Sequence, residues 1–99
     1  MRATYGTFKV YGHPGAAAGL LLADWHQHCD EGDHLTVCAH GKMLVEFSHD
    51  GKTVAQAHEL SAKDSAFPCV FVPKDIWHRA TALADGTTMM CVFAPEAAA

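Results

Sequence analysis

The stretch Trp25-His26-Gln27-His28-Cys29-Asp30-Glu31-Gly32-Asp33-His34 holds three of the eight histidines in this 99-residue chain. A neutral imidazole offers one lone pair to a transition metal, so histidines that converge from separate segments can grip one ion. In a β-strand His26 and His28 leave the same face, while Gln27 points the other way. Residues 29–33 carry the Asp, Glu and Gly chemistry of a tight turn, and Leu35-Thr36-Val37-Cys38 resumes a strand-like run. The pattern therefore predicts a hairpin, with His34 on the neighbouring antiparallel strand and within reach of the two earlier rings. A fourth ligand is expected from Pro73-Lys74-Asp75-Ile76-Trp77-His78, where a proline-led turn after a β-rich run delivers His78.

His26, His28, His34 and His78 are thus the expected ligands of one divalent transition ion: Fe, Zn, Ni, Cu or Mn. Four imidazoles leave one or two coordination positions open, which separates a site that does chemistry from one that only holds the fold. Strand parity turns Cys29 to the face opposite His28, so a thiolate ligand is not expected. Glu46 and Glu59 carry nothing that distinguishes a general base from a surface charge. No Gly-rich phosphate loop, Gly-x-Ser-x-Gly elbow or Cys-x2-Cys pair offers competing chemistry.

The elements that position these residues read as strands. Residues 4–11 alternate, with Phe8 and Val10 on one face, and residues 12–19 have the glycines and proline of a loop. Leu20 to His26 is a second strand, with Leu20, Leu22 and Asp24 on the ligand face and Leu21, Ala23 and Trp25 on the other. Met43, Val45 and Phe47 alternate with Lys42, Leu44 and Glu46, and Asp50-Gly51 marks a hairpin to residues 53–60. On that returning strand Gln56 and His58 share a face that is expected to meet water. Residues 67–72 and 78–83 form further strands, residues 84–87 one more hairpin turn, and residues 88–93 the last strand, where only one of Met89 and Met90 can face a cavity. Eight or nine short strands without an amphipathic helix make an all-β barrel or sandwich. Trp25, with Leu35 and Val37 across the expected hairpin, would leave an apolar patch outside, from which a homodimer is expected.

Composition bounds the function. The chain is long enough for one core and one domain, residues 1–99. Its net charge is −4, with seven lysines and arginines, so it presents no basic field for a phosphate backbone and nucleic acid is not an expected partner. No apolar run reaches the length of a membrane span, and the opening residues lack the apolar core of a signal peptide, so a cytoplasmic protein with no membrane partner is expected. The four cysteines, without a Cys-x2-Cys pair, are expected as free thiols.

The two histidine segments together resemble the paired motifs of the cupin superfamily. The first motif is Gly-x5-His-x-His, three or four residues, Glu, six residues and Gly; the second is Gly-x5-Pro-x-Gly-x2-His-x3-Asn. His26, His28 and Gly41 match the first, Pro73 and His78 the second, over about residues 19–93. Leu20, with Gly19 beside it, stands at the first glycine. Counted back from Gly41 the glutamate position falls on His34, and counted forward from His28 it falls on Asp33. Phe67, Asp75 and Ala82 replace two glycines and the asparagine. The resemblance implies a small single-domain metal-binding cupin, an RmlC-like jelly-roll barrel (double-stranded β-helix). It also implies an enzyme acting on a small anionic or chelating organic substrate, a dioxygenase (an oxidoreductase) if the ion is iron and an isomerase or lyase with another metal. The alternative is a non-catalytic module that binds a metal or small molecule. Replacing the glutamate with a neutral histidine leaves a divalent site at +2 rather than +1, which favours anionic ligands.

Overall fold

The computed structural model describes residues 8–28, 32–63 and 68–93. Their alternating sequence forms eight strands: β1 (Lys9–Ala16), β2 (Leu21–His26), β3 (His34–His40), β4 (Lys42–Ser48), β5 (Val54–Ser61), β6 (Cys69–Val72), β7 (Trp77–Ala82) and β8 (Thr87–Phe93). They make two antiparallel four-stranded sheets, in the orders β1-β8-β3-β6 and β2-β7-β4-β5. Only β4 and β5 are consecutive partners within one sheet; every other connection crosses from one sheet to the other. This is the jelly-roll form of an all-β protein, as expected from the sequence. Among the described residues there is no helix, and so none long and apolar enough to cross a membrane.

Period-two burial is clearest on β4, where Met43, Val45 and Phe47 are buried and Leu44 and Glu46 face outward. These three side chains pack with Cys38, Leu60, Val72 and Ala80 into one core between the sheets. The β4–β5 hairpin forms where Asp-Gly predicts it. Asp50 Oδ1 accepts hydrogen bonds from the Lys52 and Thr53 amides and the Ser48 hydroxyl, and these donors hold its carboxyl well below the usual carboxylate range. Gly41 turns the chain from β3 into β4 at φ 79°, against Thr87; a Cβ there would lie 2.6 Å from Thr87 Oγ1 and 2.9 Å from its Cα.

Three local expectations give way. The segment 26–34 is not a hairpin, because β2 and β3 belong to different sheets: turn residues reverse the chain, but burial decides which strand becomes the partner. The same holds for residues 84–87, which carry the chain from β7 across to β8 rather than closing a hairpin. Residues 12–16 continue β1 instead of forming a loop. β1 is an edge strand, where the missing amide of Pro14 costs no ladder bond, and the register shift between His13 and Ala16 accommodates Gly15 at φ 63°. Separation of β2 from β3 also divides the expected apolar patch, since Trp25 lies in one sheet and Leu35 and Val37 in the other.

Candidate metal centre

β2 and β7 pair so that His26 stands directly opposite His78, and their ring centroids lie 4.0 Å apart. β2 ends at His26, so His28 lies just beyond the strand, where the chain leaves for the opposite sheet. Its ring nevertheless lies 4.7 Å from His26 and 5.0 Å from His78. One ring nitrogen from each of His26, His28 and His78 falls within 4.8 Å of the others, a spacing that a single ion can bridge. Three hydrogen bonds hold residues 27, 28 and 33 against the Pro73 turn. The Lys74 amide donates to Asp33 Oδ1 (2.9 Å), the His28 amide to Lys74 O (3.2 Å), and Gln27 Nε2 to Asp75 O (2.9 Å).

Two of the rings have their tautomer set by their surroundings. His26 Nδ1 lies 2.6 Å from Asp24 O, and His78 Nδ1 lies 3.2 Å from Ile76 O. A carbonyl oxygen only accepts, so in the neutral rings each Nδ1 carries the proton and each Nε2 keeps its lone pair. Carbonyl-held imidazoles of this kind are a recurring outer support of metal sites. His78 is the most buried of the three, at 5 % exposure. Burial, and next repulsion from a charged His26, push its pKa down to about 3; the Ile76 carbonyl opposes this, and His34 and His28 add to it. It is therefore neutral and ready to donate its lone pair at any ordinary pH.

His34 opens β3 on the facing sheet, buried, with its ring 5.0 Å from His28 and 5.2 Å from His78. It stacks on Phe93 at 4.5 Å, and its Nε2 lies 3.2 Å from Thr36 Oγ1. It flanks the triad without belonging to the set of nitrogens within 4.8 Å. Asp33, the alternative at that position, is exposed and accepts the Lys74 amide. Cys29 lies outside the described residues; Cys38, Cys69 and Cys91 are free thiols. His58 and Gln56 are exposed and bond to each other on the edge strand β5, away from the triad. Glu46 pairs with Arg79 on the outer face at 2.9 Å, and the Arg79 guanidinium lies over Trp25.

A cavity of about 170 Å³ opens beside the triad. Sequence reasoning missed most of its wall. Ala23 reaches it although strand parity assigns that residue to the far face, because the β2–β7 register shifts between Leu21 and Ala23 and again between Ala23 and His26. Met89 lines it, as one of the adjacent methionines must. Tyr11 and Cys91, cross-strand partners on β1 and β8, stand on the same wall, and their signal was only the period-two pattern of a strand. Burial pushes the Cys91 thiol up, partly offset by the Thr36 hydroxyl at 3.6 Å, so it stays protonated.

Comparison with known proteins bears on the fold. No family model matches the sequence, and no curated protein matches it. Among solved structures, the chain is similar to the TDP-quinovose 3,4-ketoisomerase WlaRB of Campylobacter jejuni: TM-score 0.66, 15% identity, 92% of this chain and 65% of that one. It is similar to a cupin-2 domain containing protein of Shewanella frigidimarina: TM-score 0.58, 20% identity, 90% of this chain and 69% of that one. It also matches the capsular polysaccharide assembling protein CapF of Staphylococcus aureus, with TM-score 0.64 and 15% identity, covering 91% of this chain but only 22% of that one. The chain therefore has the cupin jelly-roll fold, spanning about two thirds of the ketoisomerase and less than a quarter of CapF.

Proposed function

We propose that this chain, a cupin by fold, is a metal-dependent protein acting on a small anionic or chelating organic substrate. His26, His28 and His78 are the primary ligands, His34 is the fourth, and residues 1–99 are one domain. The observation that carries this reading is the convergence of three ring nitrogens within 4.8 Å from β2, the residues just beyond it and β7. When bound there, a divalent transition ion supplies Lewis acidity, which draws in and stabilises an oxygen anion.

The chain's own residues do the rest. The Asp24 and Ile76 carbonyls engage Nδ1 of His26 and His78 and leave the Nε2 lone pairs available to a metal. Apolar walls cover one side of the space beside the rings, where charge interactions are stronger than in open solvent. No carboxylate lines the described cavity, so nothing there offsets the charge that attracts an anion. With iron the expected chemistry is that of a dioxygenase. With another metal it is that of an isomerase or lyase, an arm supported by the likeness in fold to a sugar ketoisomerase.

The same bare wall favours a second reading. Among the described lining residues there is no Asp, Glu or Lys to carry protons, which suits a module that binds without turnover. Metal analysis of the protein as isolated, followed by oxygen-uptake and isomerisation assays on oxo and hydroxy acids, separates the two. Metal with turnover supports the enzyme; saturable binding without turnover supports the module; a protein that takes up no transition metal refutes the enzyme and leaves the module only as a binder of the small molecule itself. A homodimer belongs to the same proposal, now through the outer face of the β1-β8-β3-β6 sheet, where Val10 and Phe71 stand exposed in one row with Val92 and Leu35. Sedimentation equilibrium checks it.

A further inference from the structure

Taking the metal reading as given, we infer that the site selects a monoanionic oxygen chelator with a short apolar tail and rejects ligands that carry a second charge or a nucleotide. Two observations carry this. The first is size. A space of about 170 Å³ falls below the ~300–1,000 Å³ of sites that enclose drug-sized ligands. A nucleoside diphosphate sugar would leave most of its length outside it, where the described wall offers no counter-charge for its phosphates.

The second is chemistry. Beyond the triad, the wall is built of Ala23, Val45, Ala80, Met89 and Phe93, with Tyr11 half-exposed at its rim. No Lys, Arg, Asp or Glu lines it among the described residues, so a distal carboxylate or phosphate would lose its water without gaining a counter-charge. The Thr36 hydroxyl is already engaged with His34 and Cys91. The polar end of a ligand thus belongs at the imidazoles and its carbon tail against the alanines, Val45 and Met89.

The test uses the full chain loaded with Co(II), whose visible absorption reports the ion and each ligand that reaches it. Pyruvate, 4-methyl-2-oxopentanoate and 2-oxoglutarate share one chelating head and differ in the tail. Each buried methylene is worth about fourfold in affinity, so 4-methyl-2-oxopentanoate should bind tens of times more tightly than pyruvate. 2-Oxoglutarate should bind no better than pyruvate. Ala23→Leu, which fills the cavity from an edge strand, should erase the preference and leave the cobalt spectrum in place. Met89→Ala, which enlarges the cavity, should extend the preference to a longer tail. Equal affinity for the three acids on cobalt-loaded protein would overturn this inference alone. Failure to take up cobalt would overturn it together with the metal reading.

Discussion

Acid should begin to destabilise the metal-free protein through His78, at a pH above that at which the Asp50 carboxyl takes up its proton. The ring is held neutral with its pKa pushed down to about 3, against 6.5 for a free side chain. Between those values the unfolded chain takes up a proton that the folded one refuses, so stability falls as pH falls. Above pH 6.5 both states are neutral and the ring contributes no slope. From pH 7 to pH 4.5 the full shift corresponds to a loss of about 2.5 kcal/mol. Water reaching the ring through the open side of the cavity screens this, and about 1 kcal/mol is the expected net loss. That is a visible part of the ~5–15 kcal/mol that holds a small domain together. The window avoids Asp50, whose lowered pKa gives a contribution that is complete above 3.8 and lost only below it. Urea melts of metal-free wild type and His78→Gln at pH 7 and pH 4.5 provide the assay. Wild type should lose stability over this interval and the variant should lose about 1 kcal/mol less. Parallel losses in the two proteins would show that His78 is not held neutral by burial.

The ligand set predicts unequal losses. His78→Ala should lower transition-metal affinity at least tenfold more than His34→Ala, because only His78 belongs to the close nitrogen triad; isothermal titration with Zn(II) checks the order. Asp33→Ala releases the Lys74 amide and should weaken metal binding about tenfold, as outer supports do, with far-UV circular dichroism unchanged. Gly41→Ala should destabilise the fold by about 2–4 kcal/mol in urea, since it adds a Cβ at φ 79° that meets Thr87 backbone.

Much of this was legible in the sequence, and the part that was not has a common cause. His26, His28 and His78 stand at spacings that the chain displays openly, and Asp50-Gly51 specifies the β4–β5 hairpin by local geometry alone. Ala23 was assigned to the wrong face because two register shifts on one short strand break the parity on which the assignment rests. Pro14 and its glycines read as a loop because propensity does not reveal that the strand lies at a sheet edge, where a missing amide is harmless.

The hairpin error is the informative one, because the site survives it for a different reason. If β2 and β3 were neighbours in one sheet, His34 would join His26 and His28 on a single surface and His78 would have to come from elsewhere. Instead β7 supplies His78 beside His26 within one sheet, and the chain after His28 passes to the other, where β3 presents His34. The rings therefore converge from two opposed walls into the space between them. Two opposed sheets enclose a volume that a single hairpin surface lacks, and that volume is the cavity beside the imidazoles. A crossing between sheets thus does two jobs at once: it delivers His28 to the centre and it leaves room for a ligand. Its stitching to residues 73–76 through Gln27, His28 and Asp33 ties the two histidine segments of the sequence into one unit. Loss of that stitching should loosen His28 relative to His78 while the sheets, held by the Met43, Val45 and Phe47 core, stay intact.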